Sequence, residues 1–318
     1  MASPGDNQAV AQELEKQIAE LESNANSGAS DEEIERLRQQ VVALRQKVSG
    51  PPQDAWERVL LARHPRRPHT LDYIDLLFTD FMELHGDRRF ADDPAMITGF
   101  AQFDGRSVVV VGHQKGRDTK QKLHRNFGMV NPEGYRKAMR VMGLGSKFGM
   151  PIICLIDTPG AYPGIGAEER GQAEAIAYNL KEICKLTVPV VVVIHGEGGS
   201  GGALAIAVGD EVMMFENSIY SVISPESCSS ILWRDWDHKQ EAARMLKMTA
   251  EDLYRMHLVD EIIPEPTGGA HADHTQAANL LRPVLSACLE RLLKLPTAEL
   301  INRRQQKFRC MASFVSET

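Results

Sequence analysis

The stretch that decides the fold is His195-Gly196-Glu197-Gly198-Gly199-Ser200-Gly201-Gly202-Ala203-Leu204-Ala205. It follows the apolar, β-branched run 189–194, which predicts a strand, and it leads into the small-residue run 202–208, which predicts a short helix. A strand that ends in glycines and then starts a helix leaves backbone N–H groups unpaired and pointing the same way. The stretch therefore predicts a place that holds negative charge on an oxygen or a phosphate.

Composition limits the class of protein. The 318 residues carry a net charge of −7, which argues against nucleic acid or an anionic membrane as the partner. The five cysteines are scattered without a C-x-x-C pair, which indicates a reducing compartment and no metal site in this chain. No apolar run approaches the roughly 20 residues of a membrane span, and the first residues do not resemble a signal peptide. We therefore expect a cytoplasmic protein.

Residues 1–50 have a pattern of their own. Apolar residues recur every three or four positions over 10–21 and again over 34–48, and the second run has the a/d heptad spacing. These features predict an antiparallel, coiled-coil-like helical hairpin that serves assembly. The breaker Gly50-Pro51-Pro52 predicts a domain boundary, with a single domain over residues 51–318.

The rest of the chain predicts an α/β fold with a largely parallel sheet, because continuous apolar strands alternate with helices. The predicted elements are a helix over 70–84, strands over 97–103 and 107–112 joined by a turn at Asp104-Gly105, a helix over 132–147, a strand over 151–157, a helix over 168–185, a strand over 189–195, a helix over 202–208, strands over 211–215 and 218–223, a helix capped by Thr249, a strand over 258–263, and helices over 274–294 and 297–309.

Two glycine motifs have the spacing of nucleotide-binding signatures. Gly196-x-Gly198-x-x-Gly201 matches the dinucleotide fingerprint, but the helix after it is too short and the motif lies deep in the chain. Asp157-Thr158-Pro159-Gly160 matches the D-x-x-G element of GTPases, but the chain has no Gly-Lys-Ser or Gly-Lys-Thr, which excludes a P-loop. Both motifs follow parallel strands, so we expect them to face one pocket at the same edge of the sheet.

Several side chains near these loops have two interpretations. Lys115 and Arg117 directly follow a predicted strand, so they either face a substrate or belong to a solvated basic surface. His195 ends an apolar strand and is more typical of a hydrogen-bonded structural histidine than of a catalytic base. His271 and His274 are better explained by the start of a helix than by a metal site.

Long motifs spread over the chain show a family resemblance. They are Arg-His-Pro-Arg-Arg-Pro (63–68), His-Gln-Lys-Gly-Arg (113–117), Arg-Asn-Phe-Gly-Met (125–129), Pro-Glu-Gly-Tyr-Arg-Lys-Ala (132–138), Ile-Asp-Thr-Pro-Gly-Ala-Tyr-Pro-Gly (156–164), the glycine stretch 196–202, Ser-Val-Ile-Ser-Pro-Glu (221–226) and Ile-Pro-Glu-Pro-Thr-Gly-Gly-Ala-His (263–271). In this order they closely resemble the carboxyltransferase α subunit of bacterial multisubunit acetyl-CoA carboxylase. Ser227 departs from the glycine expected there, which affects only that turn.

The resemblance implies a crotonase-like (ClpP/crotonase) fold of stacked ββα turns, with an N-terminal helical hairpin and C-terminal helices. It implies transfer of CO2 from carboxybiotin on the biotin carboxyl carrier protein to acetyl-CoA, giving malonyl-CoA in the first committed step of fatty acid synthesis. A β subunit that carries a zinc finger would bind most of the CoA in an α2β2 heterotetramer. Biotin would remain on its carrier, and no metal is expected in this chain.

The same resemblance gives roles to the glycine turns. Loss of CO2 moves negative charge to the ureido oxygen of biotin, where fixed amides would stabilise it. The departing biotin nitrogen can take the acetyl proton, so no side-chain base is required. The candidate catalytic residues are Gly160, Ala161, Gly201, Gly202 and Ala203. The candidate substrate-binding residues are Lys115, Arg117, Tyr162, Gly198, Gly199 and Ser200.

Three other functions stay open at this point. A stand-alone acyl-CoA hydratase or isomerase of the same fold would need a carboxylate base in the pocket, for which Glu168, Glu197 and Glu226 are candidates. A non-catalytic scaffold would depend on the heptad segment over residues 1–50. An NAD-binding protein would use the glycine stretch, with Glu216 on the ribose.

Overall fold

The computed structural model describes residues 54–311, and the hairpin predicted over residues 1–50 lies outside the described residues. The helices are α1 (Ala55–Ala62), α2 (Thr70–Leu77), α3 (Thr119–His124), α4 (Pro132–Phe148), α5 (Ile165–Glu169), α6 (Gln172–Ile183), α7 (Ser200–Leu204), α8 (Pro225–Trp233), α9 (Lys239–Met245), α10 (Ala250–Arg255), α11 (His274–Leu292) and α12 (Thr297–Arg309). The strands are β1 (Thr79–Glu83), β2 (Met96–Phe103), β3 (Arg106–His113), β4 (Ile152–Thr158), β5 (Val190–Gly199), β6 (Glu211–Phe215), β7 (Ile219–Ser221) and β8 (Glu261–Ile263). Every helix in 54–311 is too short or too polar to span a bilayer.

One mixed sheet positions the site. Its strand order is β1-β2-β3-β4-β5-β6-β8, and β7 pairs with the end of β5. The pairs β1–β2 and β2–β3 are antiparallel, whereas the pairs from β3 onward are parallel. The β2–β3 hairpin turns at Asp104 and Gly105, both with positive φ, as a two-residue type I′ turn requires. The predicted α/β class and this hairpin are confirmed.

Both faces of the sheet are covered, which explains why its central strands are continuously apolar. Along β4, the side chains of Ile152, Cys154 and Ile156 pack on the face covered by α4 and α6. Ile153 and Leu155 alternate with them and pack on the opposite face, against α2 and α11. The carboxyl ends of β4 and β5 therefore emerge from a rigid double-sided core.

Several predicted boundaries are wrong, and the local structure explains two of the errors. The helix predicted over 70–84 stops at Leu77, because Phe78 is extended and 79–83 pairs with β2 as an edge strand. The helix predicted over 168–185 is divided into α5 and α6 at Gly171, which has φ 84°. The strands predicted over 218–223 and 258–263 shorten to β7 and β8, while α8 and α9 were missed.

The C-terminal helix α12 is anchored by one buried arginine. The Arg304 guanidinium donates to both carboxylate oxygens of Asp210, at 2.9 and 2.6 Å. It also donates to the carbonyl oxygens of Ile183, Leu186 and Val188, so it closes the loop between α6 and β5. Its side chain is 0% exposed, whereas that of Arg303 is 63% exposed.

We expect Arg304→Met to lower the free energy of unfolding by about 3–5 kcal/mol, because it leaves a buried carboxylate and three carbonyl groups without their donor. The matched control is Arg303→Met, which removes an exposed i,i+4 ion pair with Glu299 worth about 0.5 kcal/mol. Urea unfolding of both variants measures the difference. Equal effects of the two substitutions would contradict this account of α12.

Candidate active site

Two glycine turns lie at the carboxyl ends of β4 and β5. The strand predicted over 189–195 continues to Gly199, because residues 197–199 pair with β7. The following helix spans Ser200–Leu204 rather than the predicted 202–208. The glycines were expected to end the strand, but here the missing Cβ atoms let it approach its neighbours.

The two turns are in direct contact. A Cβ on Gly199 would lie 2.1 Å from the carbonyl oxygen of Pro159. A Cβ on Gly202 would lie 2.4 Å from the carbonyl carbon of Gly160 and 2.5 Å from the nitrogen of Ala161. Side chains at these two positions would therefore collide with backbone. The expectation that both turns share one sheet edge is confirmed.

Some backbone amides of the first turn are hydrogen-bonded within the protein, and one is not. The amide of Gly160 donates to Thr158 Oγ1 at 3.1 Å, so it is used within its own turn. The amide of Tyr162 donates to the carbonyl of Val130 at 3.0 Å. Between them, the amide of Ala161 makes no hydrogen bond to any residue in the described part of the chain. Ala161 is thus the residue of this turn whose N–H remains available.

The second turn presents amides at the start of α7. N–H groups in the first turn of a helix, here including those of Gly201 and Gly202, have no partner within the helix. One residue further, the α-helical pattern directs the amide of Ala203 to the carbonyl of Gly199. His113 Nε2 donates to the carbonyl of Gly202 at 3.2 Å, and burial lowers the pKa of this imidazole to about 4. A neutral ring therefore holds this turn in place at pH 7.

Lys115 lies at the base of both turns. Its Nζ is 2.8 Å from Asp157 Oδ1 and 2.6 Å from Glu197 Oε2. Asp157 directly precedes the Thr158-Pro159-Gly160 segment, and Glu197 directly precedes Gly198. The amide of Glu197 also donates to Asp157 Oδ1 at 3.0 Å. One ammonium group thus joins the two chain segments that carry the turns.

The charges in this cluster stabilise one another. Burial would raise the pKa of Asp157, but the Lys115 ammonium outweighs burial and lowers it. The pKa of Glu197 is also lowered, because Lys115 and Arg63 oppose the effect of its burial. Burial would lower the pKa of Lys115, but the two carboxylates raise it. Arg63 lies 2.6 Å from Glu197 and 2.5 Å from Glu226, so it extends this network of ion pairs to α8.

Packing accounts for the glycine spacing that resembles a dinucleotide motif. The β4–β5 register passes from the pair Ile156–Ile194 to the pair Thr158–Gly198, so β5 bulges by two residues. A Cβ on Gly196 would lie 2.2 Å from Asp157 Oδ1, within this bulge. In addition, α7 has only five residues, and Glu216 Oε1 accepts from the amide of Glu265. These contacts do not favour an NAD site.

The remaining predicted substrate-binding residues are more dispersed. A cavity of about 120 Å³ beside the turns is lined by Lys115 together with Arg63, His64, Phe127 and Asp157, among others. Arg117 does not line it, because its guanidinium pairs with Asp72 at 2.5 Å. Tyr162 is half-buried and lies against Gly164. A larger groove of about 620 Å³ between α4 and α6 includes none of the predicted site residues.

The histidines of the sequence analysis are held by structural contacts. His195 is 0% exposed, and burial lowers its pKa to about 3. Its Nε2 lies 3.3 Å from Thr70 Oγ1, as expected for a structural residue. His271 stacks on the ring of His64, with centroids 3.7 Å apart, and the ring of His274 donates to the carbonyl of Arg66.

Sequence reasoning missed the partners of Lys115. Asp157 entered within a GTPase-like motif and a family motif, and Glu197 within the glycine stretch and as a possible base. Arg63, which pairs with Glu197, entered only within a family motif. Their common signal is a charged residue next to a buried strand or a glycine turn, because an unpaired charge cannot remain there. Thr158 and His113, which hold the turns, carry no comparable signal in the sequence.

None of the candidate bases suits a hydratase or isomerase. Glu197 is bound by two cations, and its lowered pKa makes it a weaker base. Glu226 is paired with Arg63. Glu168 is exposed on the short helix α5.

We expect Lys115→Met to lower the free energy of unfolding by about 3–5 kcal/mol at about pH 7.5, because it leaves Asp157 and Glu197 buried without their shared cation. The carboxylates have lowered pKa values in the native chain, so they stabilise it above their ordinary pKa values of 3.8 and 4.5 and less as the pH falls. Without Lys115 they protonate more easily, so the gap between variant and native chain should narrow at about pH 5.

Urea unfolding of both chains at the two pH values tests this expectation. The matched control is Lys185→Met, which removes an exposed pair with Glu182 and should change stability by less than about 1 kcal/mol at either pH. A gap for Lys115→Met that stays constant with pH would contradict the proposed charge network.

Comparisons with known proteins agree with the family resemblance. Residues 6–312 match the family described as "Acetyl co-enzyme A carboxylase carboxyltransferase-like". The chain is 60% identical over 260 residues to the "Acetyl-coenzyme A carboxylase carboxyl transferase subunit alpha" of Geobacter sulfurreducens, covering 82% of each chain. It is 52% identical to the protein of the same name from Chlorobium luteolum, covering 97% of this chain and 98% of the relative.

Solved structures with lower identity confirm the crotonase-like fold. A transcarboxylase 12S subunit superimposes with a TM-score of 0.55 at 20% identity, covering 73% of this chain; this chain spans 45% of that subunit. The MdcD-MdcE heterodimer of Pseudomonas malonate decarboxylase gives a TM-score of 0.55 at 16% identity, covering 68% of this chain and 91% of that one. With most of its sequence matched at 52–60% identity, the chain belongs to the family of carboxyltransferase α subunits of acetyl-CoA carboxylase.

Proposed function

We propose that the two glycine turns stabilise the negative charge that develops when CO2 moves between carboxybiotin and acetyl-CoA. The family is that of a transferase subunit in a multisubunit enzyme. The observation that carries the proposal is the contact between Gly202 and the Gly160-Ala161 peptide, with an unpaired amide at Ala161. Of the amides suggested by the sequence, those of Ala161 and Gly202 are the proposed donors, and Gly160 shapes the turn.

The substrate chemistry suits such donors. Carboxybiotin, carried by a partner, supplies the carboxyl group, a ureido oxygen that gains charge as that group leaves, and a nitrogen able to accept the acetyl proton. The absence of Cβ atoms at Gly199 and Gly202 allows backbone to come close to such an oxygen. Each fixed amide donor to a developing oxyanion contributes about 2.7–4 kcal/mol to lowering the barrier.

Preorganisation of the turns comes from the charged cluster beneath them. Lys115 contacts both Asp157 and Glu197, and each carboxylate belongs to the segment that leads into one turn. The two turns therefore need little rearrangement when charge appears above them. Because its ammonium is already bound by two carboxylates, we assign Lys115 a positioning role rather than the substrate-binding role first considered.

The proposal extends to the partners. A β subunit with a zinc finger would bind most of the CoA, the biotin carboxyl carrier protein would deliver carboxybiotin, and the subunits would form an α2β2 assembly in the cytoplasm. The relatives' name, subunit alpha, supports a partner subunit. In residues 54–311 no three histidine, cysteine or acidic side chains are arranged as a metal site. This arrangement gives the described chain the task of presenting amides.

We expect Gly202→Ala to reduce carboxyl transfer about 100-fold, because the added Cβ would move the two turns apart by a large part of an ångström. The assay uses the purified complex of both subunits, with malonyl-CoA and free biotin as substrates and acetyl-CoA as the measured product. Co-purification of the β subunit with the variant shows that the complex still assembles.

The matched control is Gly143→Ala in α4, where a Cβ meets no atom within 4 Å. Glycine to alanine inside a helix stabilises by about 0.5–1 kcal/mol, so this control should keep its activity. Transfer by Gly202→Ala at the rate of the native complex would reject the amide assignment.

A further inference from the structure

Ser200 occupies the one left-handed position in the glycine stretch. Its φ is 51°, whereas none of the glycines between residues 196 and 202 has a positive φ. A left-handed backbone costs a non-glycine residue on the order of 1–2 kcal/mol, and glycine adopts it freely. The glycines of the stretch thus have negative φ angles that any residue can adopt, and the one positive φ, which glycine adopts with least strain, belongs to a serine. Ser200 therefore places a hydroxyl within the glycine stretch, at a position that glycine would occupy without strain.

The Ser200 hydroxyl has no use in holding the fold together. The residue is exposed, and its Oγ makes no hydrogen bond to any residue within 54–311. It follows Gly199, whose Cα lies against the Pro159 carbonyl, and it precedes Gly202 by two residues. The hydroxyl is therefore free at the rim of the two contacting turns.

We propose that Ser200 is a substrate-binding residue whose hydroxyl donates a hydrogen bond to an oxygen of the biotin-side substrate. This inference rests on the proposed function, because it takes the amides of Ala161 and Gly202 as the site of the ureido oxygen. A donor on the same turn is then closest to the ligand that those amides hold. The acceptor is either the ureido oxygen itself or the carboxylate being transferred.

A nucleophilic role fits the structure less well. Gly198-Gly199-Ser200-Gly201-Gly202 has the spacing of a nucleophile elbow, and the strand, left-handed serine and helix occur in the same order. A nucleophilic serine needs a base within hydrogen-bond reach. The ring of His113 donates to the Gly202 carbonyl instead, and within 54–311 no histidine or carboxylate forms a hydrogen bond with the Ser200 hydroxyl. The hydroxyl is thus placed to donate rather than to attack.

Two substitutions separate the hydroxyl from the backbone. Ser200→Ala removes Oγ and keeps the left-handed residue, whereas Ser200→Gly also relieves the strain. Both should lower kcat/KM for free biotin about 10- to 100-fold in the complex of both subunits, with malonyl-CoA as the carboxyl donor and acetyl-CoA as product. In this direction a C–C bond of malonyl-CoA breaks, an N–C bond to biotin forms, and the ureido proton passes to the acetyl carbon. The KM for malonyl-CoA should not change.

The form of the loss identifies the acceptor. A raised KM for biotin indicates the ureido oxygen, which free biotin already has. A lowered kcat with unchanged KM indicates the carboxylate, which reaches biotin only during transfer. The control for strain is Lys247→Gly, at another exposed residue with φ 51°. Like Ser200→Gly it should raise the unfolding temperature, and it should keep its kcat/KM.

Several results would overturn the inference. Full activity of Ser200→Gly would show that the hydroxyl is not needed. A raised KM for malonyl-CoA would place the hydroxyl on the acyl-CoA side. The proposed function fails separately: loss of activity in Ser200→Ala with full activity in Gly202→Ala would reject the amide donors and keep the serine contact.

Discussion

The end of the sheet that carries the two glycine turns depends on the contact of one lysine ammonium with two carboxylates. Lys115 follows β3, Asp157 lies at the end of β4, and Glu197 lies in the bulge of β5, so one cation joins three neighbouring strands. Such buried ion pairs cost desolvation energy, and apolar residues could give comparable stability. Their advantage here is that hydrogen bonds to charged groups fix the relative positions of the chain segments. The amide of Glu197 and the space left by Gly196 both fit the Asp157 carboxylate, which fixes how far β5 bulges before its turn begins.

Glycine in this site provides proximity more than flexibility. At Gly199 and Gly202 any Cβ would enter the backbone of the neighbouring turn, and at Gly196 it would enter a carboxylate. Among the glycines of the two turns, only Gly160, with φ 156°, has a backbone that favours glycine. The loops therefore keep a fixed distance from each other, which is what charge stabilisation by backbone amides requires.

The sequence predicts best those parts in which local pattern and tertiary environment agree. The helix over 132–147 has a continuous buried face and ends at Gly149 in the left-handed conformation, so its prediction was nearly complete. The buried strands β4 and β5 were found from their apolar runs. Residues 78–84 were assigned to a helix because their apolar spacing is compatible with the helical repeat of 3.6 residues as well as with the strand repeat of two. Residues 79–83 form a strand because they pair with β2. Pairing of this kind depends on residues distant in the chain.

The same limit applies to the site. Both turns were predicted because the carboxyl ends of parallel strands lie at one sheet edge, whereas the charge cluster was not, since Lys115 and Glu197 are 82 residues apart. The turns and the charge cluster also differ in what they do. The groups proposed to act on the substrate are backbone amides and the Ser200 hydroxyl, whereas the Lys115 ammonium forms ion pairs with the carboxylates of Asp157 and Glu197. Hydrogen-bond donors of this kind can serve a transfer in which the substrates carry their own proton acceptor. Such a site is consistent with a chain whose family works as one subunit of a larger enzyme.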